Sequence, residues 1–263
     1  MKLVLLALVF LAAACSKQAP AAEPAAPATP TPSPAAPTTP TAESIIEAHI
    51  TATGGRAARQ AITSMRATGT MRIAKVGIGG KVEMRMRAPN LAHVVVDIDG
   101  LGRTQNGSDG TTVWEKSAMT GARVLEGAER ERALRAATLH SELAWRELFT
   151  KVELLGEAEF AGRPAWKLAF TTPLGDVETH YYDRETKLEL GKEEIAKTQM
   201  GEFPTRSTYA DYKSYGGLMM ASKVIETTQG MDIELTIDAV EMNPSLPADA
   251  FAVPADIAPL VAK

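Results

Sequence analysis

From Ser64 onward the chain alternates. Thr70-Met71-Arg72-Ile73 and Val82-Glu83-Met84-Arg85-Met86-Arg87 place apolar side chains at every second position, with polar or charged ones between. This is the pattern of a strand with one dry face and one wet face. Gly77-Ile78-Gly79-Gly80 between them reads as a turn. Leu91 to Ile98, Thr111 to Lys116 and Arg123-Val124-Leu125 continue the rhythm, with Asn106-Gly107 and Asp109-Gly110 as turn signals. Further strands are predicted at Lys151 to Glu159, Pro164 to Thr171, Val177 to Tyr182, Leu188 to Lys197, Thr205 to Tyr212, Leu218 to Thr227 and Met231 to Val240. The total is roughly ten strands, and sequential antiparallel strands in that number curl rather than stay flat.

Two stretches break the alternation. Ser44-Ile45-Ile46-Glu47 fits a capping box at a helix start, Gly54-Gly55 supplies its left-handed stop, and Arg56 to Ile62 extends it by a further turn or two. Glu126 to Phe149 has no Pro and is rich in Ala, Leu, Glu and Arg; it aligns Leu134, Thr138, Ser141, Trp145 and Leu148 on one stripe. The spacing predicts one long helix inserted among the strands, with Trp145, Leu148 and Phe149 forming an apolar patch near its end. The fold class is therefore mainly β, with helices added (α+β).

The apolar positions of the strands form a shared face. Met71, Ile73, Val82, Met84, Met86, Val94, Val96, Ile98, Trp166, Leu168, Phe170, Ile233, Leu235 and Ile237 recur at period two and would line the concave side of a curled sheet. Methionine is flexible and polarizable, so such a wall adapts to irregular apolar partners. A lipid cleft and a core packed under the helices share this periodicity, and both readings stand at this point.

The beginning of the chain follows a different logic. Lys2 precedes an apolar run, Leu3 to Ala14, that ends in small residues. This is the layout of a cleaved signal peptide, and it is short of the about 20 apolar residues a spanning helix needs. Cys15 follows Leu11-Ala12-Ala13-Ala14, a sequence that resembles a lipobox, so residues 1–14 are expected to be removed and Cys15 to be acylated. It is the only cysteine among 263 residues, which leaves no partner for an internal disulfide. Acylated this way, the chain would be held on a bilayer. Ser16 follows the cysteine where inner-membrane lipoproteins carry aspartate, which leans toward the outer membrane, facing the periplasm. Residues 15–42 hold half of the 16 prolines among Ala, Thr and Ser, and read as a solvated linker. Residues 43–263 are long enough for one well-buried domain.

Charge and chemistry narrow the function classes. The formal charge of -4 is modest and the cations are scattered, so there is no nucleic-acid footprint. There is no His-Glu-x-x-His, phosphate loop or Gly-x-Ser-x-Gly elbow, and Asn106 to Gly110 reads as a hairpin turn. His49, His93, His140 and His180 lack ligand spacing and read as packing or rim residues. The pairs Asp97/Asp99 and Asp232/Glu234 read as solvated strand faces. No catalytic set, metal or cofactor is implied.

Several segments together resemble a family. They are His49-Ile50-Thr51-Ala52-Thr53-Gly54-Gly55, Asp109-Gly110 with Trp114, Tyr181-Tyr182-Asp183 with Thr186 and Leu188, Asp211-Tyr212-Lys213-Ser214-Tyr215-Gly216-Gly217, and Phe251-Ala252-Val253-Pro254. In this order they resemble the LolA/LolB-like superfamily of outer-membrane lipoprotein-sorting and lipid-carrying proteins. The resemblance implies an unclosed antiparallel half-barrel whose hollow is covered by helices and holds acyl chains of lipids or lipoproteins, without catalysis. The lipobox and linker look more like the anchored acceptor, or like mycobacterial lipid-carrying lipoproteins, than like the soluble carrier. On this reading Ile45, Ile46, Ile50, Leu134, Trp145, Leu148 and Phe149 form a lid over the cleft. The alternative is an accessory envelope lipoprotein with a packed core that acts through other envelope proteins.

Overall fold

A computed structural model describes residues 39–198 and 201–261. The described residues form one antiparallel sheet of thirteen strands in the order β6-β5-β4-β3-β2-β1-β13-β12-β11-β10-β9-β8-β7, whose edges β6 and β7 do not pair. The first half is a meander of β1 (Ser64–Ile73), β2 (Ile78–Arg87), β3 (Leu91–Ile98), β4 (Gly102–Asp109), β5 (Val113–Ser117) and β6 (Gly121–Leu125). The second is β7 (Lys151–Phe160), β8 (Arg163–Thr171), β9 (Val177–Asp183), β10 (Glu189–Thr198), β11 (Gly201–Tyr215), β12 (Leu218–Thr228) and β13 (Met231–Met242). It returns to the first through the β1–β13 pair. Consecutive strands are neighbours in the sheet except β6 and β7, between which residues 126–150 pass from one edge to the other. The half-barrel is thus open, and a single crossover spans its hollow.

The strand that alternation did not reveal is β4. Asn106-Gly107 is not a turn: Gly107 sits inside β4 opposite Trp114. A Cβ at Gly107 would lie 2.4 Å from the Trp114 ring, so the glycine is there for close approach of an aromatic plane. The Gly77–Gly80 turn also shifts. A 3₁₀ turn over Ala74–Val76, closed by Gly77 at φ 68°, makes the reversal, and Gly79 and Gly80 already belong to β2. With β4 included, the sheet exceeds the roughly ten strands that the pattern predicted.

Two helices precede the sheet, α1 (Ala42–Ala52) and α2 (Gly55–Gln60). The capping box starts earlier than expected: Thr41 is the N-cap, its Oγ1 accepting from Ser44 N at 3.1 Å, while Ser44 Oγ accepts from Thr41 N at 3.0 Å. Ser44 is therefore the reciprocating residue of the box, not its cap.

The long helix predicted over Glu126 to Phe149 is divided. α3 covers Gly127–Ala136 and α4 only Trp145–Leu148. The reason is competition for backbone groups. Leu139 N donates to Pro89 O at 3.0 Å, and His140 Nε2 donates to Ile62 O at 2.6 Å. The turns of the sheet thus take up segments that helix propensity alone would have kept in register.

Beyond β13 the described chain passes Arg87 of β2 and Lys116 of β5 to α5 (Ala258–Val261), which lies against β6. Phe251 and Ile257 are buried there, with the Arg87 guanidinium 5.1 Å from the Phe251 ring centre. This segment reaches His93, whose ring centre is 5.4 Å from that of Trp114, and leaves the inner face to α1, α2 and the crossover.

Candidate functional site

Alternation sends the predicted apolar face inward, and on that face it divides among three clusters. Met71, Ile73, Val82, Val96, Ile98, Ile233, Leu235 and Ile237 form the central cluster with Ala67, Tyr209 and Val224, and Val94 packs against it. Met84 and Met86 belong to a second, methionine-rich cluster with Ile62, Met65, Leu218 and Met220, against which Ala58 of α2 and Leu139 of the crossover pack.

The third cluster is aromatic and lies under the helices. Leu168, Phe170 and Tyr182 of β8 and β9 meet Ile45, Ile46 and Ile50 of α1 and Phe149. Trp145, Leu148, Leu143 and Trp166 pack around them. Phe149 and Phe170 meet edge to face with ring centres 4.9 Å apart. The patch of Trp145, Leu148 and Phe149 survives the division of the helix because α4 carries the first two and Phe149 caps it. Leu134 is half-buried on α3 and joins none of these clusters among the described residues. Cys15, the signal sequence and most of the linker lie outside the described residues.

Beside the aromatic chamber runs a buried band of charge that the apolar pattern could not show. His180, fully buried on β9, places Nδ1 2.6 Å from Glu189 Oε1 and Nε2 3.2 Å from Glu178 Oε2. Glu178 also meets Arg135 of α3, and Lys192 Nζ at 3.8 Å. Burial works against the Lys192 charge, but Glu178 and Glu194 outweigh it and hold the ammonium pKa above its ordinary value. On the helical side Arg59 is buried, with Nη2 donating to Thr53 Oγ1 at 2.7 Å and Nη1 3.5 Å from Glu142 of the crossover; its Nε finds no partner among the described residues. Burial lowers the pKa of His49, and because a carbonyl only accepts, His49 Nδ1 carries the hydrogen toward Lys187 O at 3.0 Å. Tyr182, Tyr209 and Tyr212 all have phenol pKa values pushed well above the ordinary one, first by burial and then by nearby Glu189.

This band ties the cover to the sheet. Arg135 and Glu142 come from the crossover, His49 from α1, Arg59 from α2, and Glu178, His180 and Glu189 from β9 and β10. The predicted packing role of His180 thus becomes a polar junction, and His49 lies beneath α1 rather than at a rim. Among the described residues no three His, Cys, Asp or Glu side chains are placed to hold a metal ion. Acidic residues flanking aromatic strand positions, as in Glu178-Thr179-His180-Tyr181-Tyr182, were the only sequence trace of the band.

One groove lies against the aromatic cluster. It runs between α1 and the β8–β9 strands, lined by Pro40, Ser44, Ile45, Ala48, Trp166, Tyr182, Asp183 and Lys187, and holds about 90 Å³. Ligand sites commonly occupy roughly 300 Å³ or more. The groove is a crevice at the edge of the packed aromatic cluster.

No family model matches the chain, and neither does any curated protein. Solved structures do match over most of its length. A DUF1329 family protein from Desulfovibrio piger has a TM-score of 0.58 at 10% identity, covering 81% of this chain and 98% of that one. A LolA superfamily protein from Nitrosomonas europaea has a TM-score of 0.56 at 13% identity, covering 82% and 99%. A putative outer membrane lipoprotein-sorting protein domain from Vibrio parahaemolyticus has a TM-score of 0.55 at 16% identity, covering 80% and 97%. The open sheet, its single crossover and the helices over its hollow therefore make this chain a protein of LolA-like fold.

Proposed function

We propose that the protein is an envelope lipoprotein, anchored through Cys15, that takes acyl chains of lipids or lipoproteins into the chamber between α1, α4 and β7–β9. The observation that carries this reading is the groove beside α1, whose walls Ile45, Trp166 and Tyr182 are also members of the aromatic cluster. The cover shares no backbone ladder with the sheet; side-chain packing closes it, with a backbone hydrogen bond from Met219 N to Thr53 O at the C-terminal end of α1. At about 90 Å³ the groove admits the end of a chain, and deeper entry requires α1 and α4 to move outward. Each acyl methylene taken from water contributes roughly 0.8 kcal/mol, so a greasy wall suffices without any special polar contact. The reading assigns no catalysis, and the outer membrane is its proposed location.

Native mass spectrometry of the protein purified from membranes is expected to show co-purifying lipid. With Trp114 and Trp166 replaced by Phe, Trp145 emission is expected to shift on addition of a long-chain fatty acid. A ligand that binds by mass spectrometry yet leaves Trp145 silent would remove α4 from the site.

The tight packing of the aromatic cluster favours one competing reading, an accessory lipoprotein that acts through protein contacts. Absence of co-purifying lipid, together with failure to take up fluorescent fatty acids, would select it.

A further inference from the structure

The turns of the sheet fall on two rims. One rim carries the helices: Met219 N at the start of β12 donates to Thr53 O, Leu139 N donates to Pro89 O, and Lys187 O meets His49. The opposite rim carries the β1–β2, β3–β4, β5–β6, β8–β9 and β12–β13 turns, as the antiparallel order requires. Apolar side chains stand in water there. Val76 at the β1–β2 turn is 53% exposed, Met119 at the β5–β6 turn 57% and Ile195 near the end of β10 47%. Leu101, Leu174 and Val177 are exposed beside them at the β3–β4 turn, the β8–β9 turn and the start of β9. Six of the nine large apolar side chains exposed among the described residues therefore share this rim. None of the six belongs to an inner cluster.

The layout argues for one kind of partner. A stable protein interface needs about 800 Å² per side around a contiguous dry centre. Here the tips of the first meander stand apart by two strand spacings, roughly 10 Å, with polar turn residues between them. Isolated apolar tips cannot make such a centre, but each can enter the interfacial layer of a bilayer separately. The rim carries charges of both signs, its cations standing beside Asp97, Asp99 and Asp176. Arg103 grips Asp97 with Nε–Oδ1 at 2.6 Å and Nη2–Oδ2 at 3.0 Å, Lys197 meets Asp176 at 2.9 Å, and Lys75 Nζ donates to Gly230 O at 3.1 Å. The two ion pairs hold the tips; Lys75, bonded to a neutral carbonyl, keeps its charge, and Asp99 at the β3–β4 turn carries the opposite one, so the rim has no one-sided charge to call for an anionic surface.

We propose that this rim docks on a phospholipid bilayer by inserting Val76, Leu101, Met119 and the Leu174, Val177, Ile195 group, with little dependence on lipid charge. The proposal goes beyond acyl-chain binding and is independent of it, because it uses none of the chamber residues.

The test uses the full chain carrying an environment-sensitive fluorescent amino acid at position 76, 101, 119 or 195. Position 111, at the β4–β5 turn on the helix-bearing rim, is the control. The protein is reconstituted in phosphatidylcholine vesicles, with and without phosphatidylglycerol, and with a nitroxide-labelled lipid as quencher. The four rim positions should show blue-shifted emission that the nitroxide lipid quenches in both compositions, while position 111 does neither. In a chain that also carries Val76→Ser, Leu101→Ser and Met119→Ser, quenching at position 195 should be lost while the circular dichroism is kept. Rim emission like that at position 111 would overturn the proposal. So would a blue shift that the nitroxide lipid cannot quench, which would point to a protein contact, or quenching that appears only with phosphatidylglycerol.

Discussion

The two sides of the concave face are built differently. On the β1–β3 and β11–β13 side, the central and methionine-rich clusters grow from strands hydrogen-bonded to one another, and the sheet itself holds most of their members. On the β7–β9 side the aromatic cluster is half sheet and half cover: Leu168, Phe170 and Tyr182 face Ile45, Ile46, Ile50 and Phe149, which no ladder restrains. No strand pairing closes the second region, so it is the one that can open without breaking the sheet. The buried charges of β9 and β10 lie beside it and hold the crossover down.

Several measurements would break or sharpen this contrast. The largest effect is expected at the junction. Glu178→Gln takes a carboxylate from Arg135, Lys192 and His180 at once. Losing one side of a buried pair costs about 3 to 5 kcal/mol, measurable by urea unfolding, and a cost below about 1 kcal/mol would mean the band is solvated.

Next come the two faces of the aromatic chamber. Leu168→Ala empties a fully buried position on the sheet and is expected to cost about 2 to 5 kcal/mol. Trp145→Ala on the cover should cost less than Leu168→Ala and should weaken fatty-acid binding more. A full loss of about 3 to 5 kcal/mol at Trp145, with binding unchanged, would make the cover part of a solid core.

A smaller, pH-dependent effect is expected at Glu226, which faces inward on β12. Burial raises its pKa to about 7, with Lys192 pulling it down and Glu194 pushing it up. A carboxyl whose folded pKa lies above its unfolded one adds stability at low pH that is lost as pH rises through the folded value. The wild type should therefore weaken between about pH 5 and pH 8, and Glu226→Gln should flatten this part of the profile. A Glu226→Gln profile parallel to the wild type would place the titration elsewhere.

The smallest effect belongs to the exposed pair Arg146–Glu43 between α4 and α1. Arg146→Ala should change stability by no more than about 1 kcal/mol, since water and salt screen such pairs. If the cover opens, the same substitution should speed acyl uptake in stopped-flow fluorescence.

Legibility in the sequence followed locality. The strands of β1–β3 and β7–β13 and the helices α1 and α2 could be read because their signals, period-two alternation and a cap with a glycine stop, act over a few residues. β4 could not, because Gly102 to Asp109 carries small and polar side chains, and its glycine serves a tryptophan on the next strand. The predicted apolar wall lies on one face, yet its division into clusters and its relation to the charged band depend on which strands become neighbours.

The sequence by itself determined the alternation, and with it which side chains turn inward, because neighbouring residues on a strand have no choice but to face opposite ways. It also determined that Trp145, Leu148 and Phe149 act together, since they are spaced within one turn of chain. Only the tertiary structure decided that the crossover breaks after α3. The carbonyls of Pro89 and Ile62, remote in sequence, are close enough in space to take Leu139 N and His140 Nε2 as partners. The tertiary structure likewise joined Arg59 to Glu142, and His180 to Glu178 and Glu189. A buried charge needs a partner wherever the chain can bring one, and no local pattern encodes where that is.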